Sequence, residues 1–175
     1  MGSNEHEVLP ELTVKIRQVV ANLNPDHINA LQPFSLTFKE FEPIIPHIKW
    51  VNADVFHNAS EVGELSPLFK SLQGKDVTLI SCADKKQFNP SWSFIEVRPK
   101  NSFLDYQMVL DKVFKSSKDK IFLFAASRMS VPVIYDGPND CTMIDIGSLL
   151  DPFVGNIIRG YHKRMTKDII KKNLE

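Results

Sequence analysis

Residues 121–154, IFLFAASRMSVPVIYDGPNDCTMIDIGSLLDPFV, decide how this chain is read. They hold two apolar runs, IFLFA and TMIDIG, and each passes into small and polar residues. A short continuous apolar run bounded by turn signals marks a strand buried on both faces, as in a parallel sheet. Between the runs, residues 130–136 read as a short helix and Gly137-Pro138-Asn139 as a turn. Strand, helix and strand in succession predict a βαβ unit with a right-handed crossover. In open α/β sheets, ligands bind outside the carboxyl ends of the strands. The residues that close each run are therefore the place to look for chemistry.

The same alternation extends on both sides. Leu9, Leu12, Ile16, Val19, Val20 and Leu23 fall at helical spacing and predict an amphipathic helix over 9–23. A short helix is expected at 28–31 and an irregular, Pro-containing connection over 33–46. Residues 48–51 read as a strand. Asn58 and Glu61 have the form of a capping pair for a helix over 59–73 that Gly74 ends. Strands follow at 77–82 and 94–97, separated by a loop at 85–92. Ser102 and Asp105 repeat the capping signature before a helix whose Phe103, Tyr106, Leu110, Val113 and Phe114 share one face. Strands at 120–125 and 141–146 and a closing helix over 161–174 complete the pattern. The expected architecture is a single α/β domain spanning residues 1–175, with a Rossmann-like, doubly wound and largely parallel sheet.

Composition bounds the function. The chain has 175 residues, with 43% apolar and 24% charged, as expected of a globular protein with a proper core. Its formal net charge is zero, which gives no support to nucleic-acid binding. No apolar run reaches the length of a membrane span, and the N-terminus has no basic-then-apolar signal pattern. Two cysteines, Cys82 and Cys141, make neither a disulfide framework nor a zinc motif and suit a reducing compartment. A cytoplasmic location is expected. Oligomeric state is not legible. Dinucleotide, P-loop, nucleophile-elbow and HExxH fingerprints are all absent.

Four clusters carry polar chemistry. At the end of IFLFA, Ser127 and Arg128 among small residues offer phosphate a close backbone, a hydroxyl and a forked cation. After TMIDIG come Asp145, Gly147, Ser148 and Asp151. A carboxylate within an apolar strand, as Asp145 is, needs hydrogen-bond donors, a cation or an exposed strand end. Asp151 before Pro152 reads equally as fixing a turn by bonding its own backbone. The two carboxylates are candidates for ribose or sugar hydroxyls or a divalent metal. Near the 48–51 strand, Asp54 and His57 have the spacing and residue types of a general base. Glu61 and Glu64 match helix-dipole stabilisation instead. Last, Arg159, Gly160, His162 and Lys163 lie where a glycine-preceded helix start could clamp a diphosphate, with Arg159 the stronger candidate and His162 reading more often as a structural or solvated histidine. From Arg159 to Glu175, six Lys/Arg face two acids. That excess reads as a solvated face or as attraction for a phosphate or anionic surface.

NADVFHNASEVGELSPLFKSL, DVTLISCAD, FIEVRPKNSFLDYQMVLDKV, IFLFAAS and MIDIGSLLDPFVGNIIRGYHKR together resemble bacterial and viral glycosyltransferases of the GT-D fold type. The resemblance covers residues 50–164 and is most specific in IDIGSLLDPFVG…RGYH. It implies a Rossmann-like sheet, a nucleotide-sugar donor such as a UDP-sugar, a glycan or small-molecule acceptor, and a divalent cation, manganese or magnesium. On that basis Asp145, Gly147 and Ser148 contact the donor, Ser127 and Arg128 its phosphates, and Asp151, Arg159 and His162 the sugar or diphosphate. Asp145 and Asp151 are the metal candidates, and Asp54, His57 and Asp151 the catalytic ones. The family's acidic Arg-x-Gly-Asp-Gly-Glu-like stretch has no counterpart here. Its absence and the basic closing helix favour a second reading, a noncatalytic nucleotide-binding or interaction domain. A small methyltransferase is a third, opposed by the lack of a Gly-rich loop.

Overall fold

A computed structural model describes residues 10–31, 48, 50–116 and 118–175. Its centre is a four-stranded sheet made of β3 (Val77–Ser81), β4 (Ser93–Glu96), β5 (Ile121–Ala125) and β6 (Thr142–Asp145). All pairings are parallel and the order is β4-β3-β5-β6. Leu79 stands opposite Leu123, and Phe124 opposite Asp145. β3 is buried along its whole length and β5 along all but its first residue. That is why both read as unbroken apolar runs.

Strand order reverses between β3 and β5: the chain leaves β3 toward β4, then returns past β3 to β5 and β6. The connections change face accordingly. β3 reaches β4 through a 3-10 turn, Ala83–Gln87, whose following Phe88 and Trp92 pack on the cluster containing Leu65, Leu79 and Leu150. After the reversal, α4 (Tyr106–Phe114) and α5 (Ser130–Asp136) cross the other face, over Ile80, Phe122 and Phe124. Right-handed crossovers require such a change of face when the direction of travel reverses. α1 (Pro10–Ala21) packs on α5, with Lys15 Nζ 2.6 Å from Asp136 Oδ2.

On the first face, α2 (Val55–Val62) and α3 (Ser66–Ser71) replace the one long helix expected over 59–73. Gly63 ends α2 in the left-handed region at φ 76°, which a β-carbon disfavours. Asn58 lies inside α2 and caps nothing; the helix begins after Asp54. The expected helix at 28–31 is strand β1 (Asn29–Leu31), paired in parallel with β2 (Trp50–Asn52). The irregular connection expected over 33–46 lies outside the described residues. Ser102–Asp105 forms a 3-10 turn rather than a cap: the Ser102 hydroxyl donates to the Ala126 carbonyl at 2.8 Å, and Asp105 accepts from Arg98. The closing helix is shorter than expected. Residues His162–Arg164 are a 3-10 turn, and α6 spans Lys167–Leu174.

α6 is fixed to the α2–α3 turn by one buried side chain. Asn173 Nδ2 donates to the Ser60 carbonyl at 2.8 Å, and its Oδ1 accepts from the Leu65 amide at 3.0 Å. The Leu65 amide is a donor left over at the start of α3, and the Ser60 carbonyl near the end of α2 also accepts from the Gly63 amide at 3.4 Å. Among the described residues, no helix is long and apolar enough to cross a membrane.

Candidate functional site at the strand carboxyl ends

The carboxyl ends of β3, β5 and β6 line one edge of the sheet, and the chain from Ser148 to Arg164 returns along that edge. β5 runs into Ser127, which takes φ 57° although it is not glycine. A left-handed non-glycine residue costs about 1–2 kcal/mol. The Ser130 hydroxyl holds this turn by donating to the Ser127 carbonyl at 2.9 Å. Arg128 stands exposed beside it.

β6 ends at Asp145, whose Oδ1 accepts from the Gly147 amide at 2.9 Å. Gly147 at φ 52° makes the tight turn that aims this amide back. The Asp145 carboxyl is open to solvent on one side and set among protein on the others. Burial pushes its pKa up to about 6, against the Gly147 amide and the nearby Ser130 hydroxyl. No cation is paired with it among the described residues.

Asp151 is different. It is buried, and Lys85 Nζ lies 2.9 Å from its Oδ1. Burial alone lowers a lysine's pKa, yet the Asp151 carboxylate overrides that and holds Lys85 above its ordinary value. Lys85 is therefore a fixed cation, not a nucleophile. Cys82, at the end of β3, has its thiol pushed up by burial. Asp84 accepts a hydrogen bond from the Asn156 side-chain Nδ2, tying the β3 end to the returning chain.

His162 is the inward counterpart of this cluster. It is 1% exposed, and its Nδ1 accepts from the Ile158 and Arg159 amides at 3.2 and 3.1 Å. The expected helix start at Gly160 is corrected: His162–Arg164 forms a three-residue 3-10 turn, and the helix begins only at Lys167. Its Nε2 is buried without a partner of hydrogen-bond geometry. Since Nδ1 accepts, the proton of the neutral ring sits on Nε2, and burial lowers the pKa. Arg159 and Lys163 remain exposed at the surface of the loop.

Asp54 and His57 come to the same edge by way of a residue the sequence reading passed over. The His57 ring stacks on Tyr161 at 4.4 Å between centroids, and the Tyr161 hydroxyl lies 2.9 Å from the Ser148 hydroxyl. Burial pushes the Tyr161 hydroxyl up to about 12. Asp54 Oδ1 is 3.6 Å from His57 Nδ1. Glu61 is engaged by Arg164, at 2.6 and 2.8 Å, which clamps α2 to the end of the loop and lowers the Glu61 pKa. It serves packing.

The structure therefore joins His57, Asp54 and Ser148 through Tyr161, and Ser127, Asp145 and Gly147 at the ends of β5 and β6. Asp151 and His162 point inward instead. Lys85, Asp84 and Tyr161 were missed. The strand-end rule that singled out β5 and β6 applies equally to β3, and would have drawn in Cys82, Asp84 and Lys85. Among the described residues, no group of three or more His, Cys, Asp or Glu side chains converges to hold a metal. No protein-family model matches the sequence, and no similar curated protein or solved structure was found.

Proposed function

We propose that the strand-end edge binds a nucleotide-sugar, with a UDP-sugar as the expected donor, and that the chain is a glycosyltransferase-like protein acting on a glycan or small-molecule acceptor. On this reading the β4-β3-β5-β6 sheet is the core of a Rossmann-like, doubly wound domain. The observation that carries the proposal is the reversal of strand order between β3 and β5. Such a reversal opens a crevice for ligands at the carboxyl ends, and here Ser127, Asp145 and Gly147 sit on that edge.

Asp145 accepts hydrogen bonds from donor hydroxyls, and Ser127 with Arg128 meets the phosphates. Arg159 and Lys163 offset charge on the departing diphosphate. In the transfer step an acceptor oxygen attacks the anomeric carbon and the bond to the diphosphate breaks, leaving its electron pair on the diphosphate. The acceptor proton passes to His57, which Asp54 orients. The residues do not fit a protein-held divalent cation: Asp151 is neutralised by Lys85, which leaves Asp145 as a single free carboxylate. No step is given to manganese or magnesium. The engagement of Asp151 also supports the second reading, a binding domain without turnover.

A thermal-shift panel of UDP-, GDP- and CMP-sugars, each with and without manganese, tests the proposal. A ligand at 100 times its dissociation constant adds about 2.7 kcal/mol, which raises the melting temperature of a chain this size by about 5–10 °C. One nucleotide is expected to give that shift without manganese, and Asp145→Ala to abolish it while leaving the fold intact. Silence across the panel rejects the donor site. A shift that requires manganese rejects the assignment of charge neutralisation to Arg159 and Lys163. Binding without donor hydrolysis selects the noncatalytic reading.

A further inference from the structure

A large cavity lies away from the strand ends. It is an open groove of about 870 Å³ between α3, the 87–92 loop and the 3-10 turn Asp151–Val154, inside the roughly 300–1,000 Å³ range of small-molecule clefts. Four rings form one wall. Phe88 lies 5.4 Å from Phe69, 5.6 Å from Trp92 and 5.7 Å from Phe153 between centroids. All four are half-buried, so each shows part of a face or edge to the groove. The exposed amides of Gln73 and Gln87 stand at its border.

The aromatic wall is held in place locally. Asn89 Oδ1 accepts from the Ser91 amide at 3.1 Å and from its hydroxyl at 2.7 Å, and the Trp92 amide donates to the Asn89 carbonyl at 3.2 Å. The loop carrying Phe88 and Trp92 is therefore set before any ligand arrives, which lowers the cost of binding. Of the described lining residues, Lys75 alone is charged. A nucleotide or phosphorylated ligand would find one exposed lysine for all its anionic groups in such a lining. The lining asks for a neutral molecule with flat C–H faces and hydroxyl-bearing edges. Pyranose rings have that construction: their C–H faces meet the negative faces of aromatic rings, and their hydroxyls pair with side-chain amides as donor or acceptor.

We infer that this groove is a binding site for a neutral oligosaccharide. A smaller hollow of about 400 Å³ shares Gln87 and Trp92 with it and reaches Asp84 beside the β3 end. A saccharide longer than the groove has a path toward the strand-end edge. The site stands on its own lining and does not require the edge to bind a nucleotide-sugar.

Titration calorimetry with maltohexaose, cellohexaose and chitohexaose tests it on the whole chain. At least one is expected to bind saturably with Kd of about 1 mM or tighter. Trp92→Ala and Gln87→Ala are each expected to weaken it by about tenfold or more, and Asp145→Ala to leave it unchanged. Gln87→Ala keeps the test usable if Trp92→Ala does not fold, because Gln87 is exposed. Absence of binding by all three sugars overturns the inference, as does binding that both groove variants leave intact. Loss of binding in Asp145→Ala moves the saccharide to the strand ends and overturns it too. Failure of the donor reading appears separately, as no thermal shift with nucleotide-sugars.

Discussion

The turns that close β5 and β6, and the cluster under the 148–164 loop, use the same residue types in opposite ways. On the β5–β6 side Ser127 is held in a left-handed turn, and Asp145 stands exposed at the strand end with an amide for a partner and, among the described residues, no cation. Six positions further on, Asp151 is buried against Lys85, with His162 accepting two backbone amides beside it. A carboxylate with a fixed cation is a fastening; one without is a chemical surface. The contrast leaves Asp145 without a cation and fixes Asp151 against Lys85; sequence alone favours a functional role for Asp145 and leaves Asp151 evenly divided between function and turn.

The largest expected effect tests the fastening. Lys85→Ala leaves the Asp151 charge buried and uncompensated and is expected to lower stability by about 3–5 kcal/mol in urea titration. Lys85→Met combined with Asp151→Leu is expected to recover most of that loss. A double variant no better than the single one would mean that the pair does more than satisfy itself. Next is Asn173→Ala, which orphans the Leu65 amide and leaves the Ser60 carbonyl only the Gly63 amide at 3.4 Å, and is expected to cost about 2 kcal/mol by the same measurement.

The third effect is a pH dependence. The His162 pKa is lowered in the folded chain, so the unfolded chain binds its proton first as pH falls. Stability from His162 is therefore full above about pH 6.5 and declines as pH drops below that value. His162→Asn keeps an acceptor near the Nδ1 position and removes the titration. Its melting temperature relative to wild type is expected to improve on acidification, and a constant difference would refute the burial argument. The smallest effect is on the open side. Asp145 has a raised pKa, so the folded chain holds its proton more tightly than the unfolded chain, and ionisation costs stability as pH rises from 3.8 through about 6. Asp145→Asn is expected to be more stable than wild type at pH 8, by about 1 kcal/mol or less given its contact with solvent. That gain is expected to vanish below pH 3.8. A destabilised variant would place Asp145 among the fastenings.

These differences also explain what the sequence discloses. β3, β5 and α5 are legible because burial on both faces, or a short helix between turn signals, leaves a mark within a few residues. The α2–α3 break is harder to see: Gly63 needs φ 76°, but a glycine between two apolar helical stretches reads as tolerated until its backbone is known. Asn58 and Glu61 imitate a capping box that tertiary packing overrides. At the edge, Asp145, Ser127 and Gly147 are legible from the strand-end rule. The fate of Asp151 is not, because Lys85 lies in a polar stretch remote in sequence and only the fold brings its ammonium to 2.9 Å. Tyr161 is hidden for the same reason, since its meaning lies in the His57 ring and the Ser148 hydroxyl.

Parallel pairing has one practical consequence for the two thiols. Cys82 follows β3 and Cys141 precedes β6, so they mark opposite ends of the sheet. Both are half-buried free thiols whose pKa values burial raises, so both hold less thiolate than an exposed cysteine and alkylate more slowly. A molecule seated at the carboxyl ends shields Cys82 and leaves Cys141 as an internal clock. The native chain thus carries its own two-point reporter of where an occupant sits, readable by mass spectrometry without an introduced label.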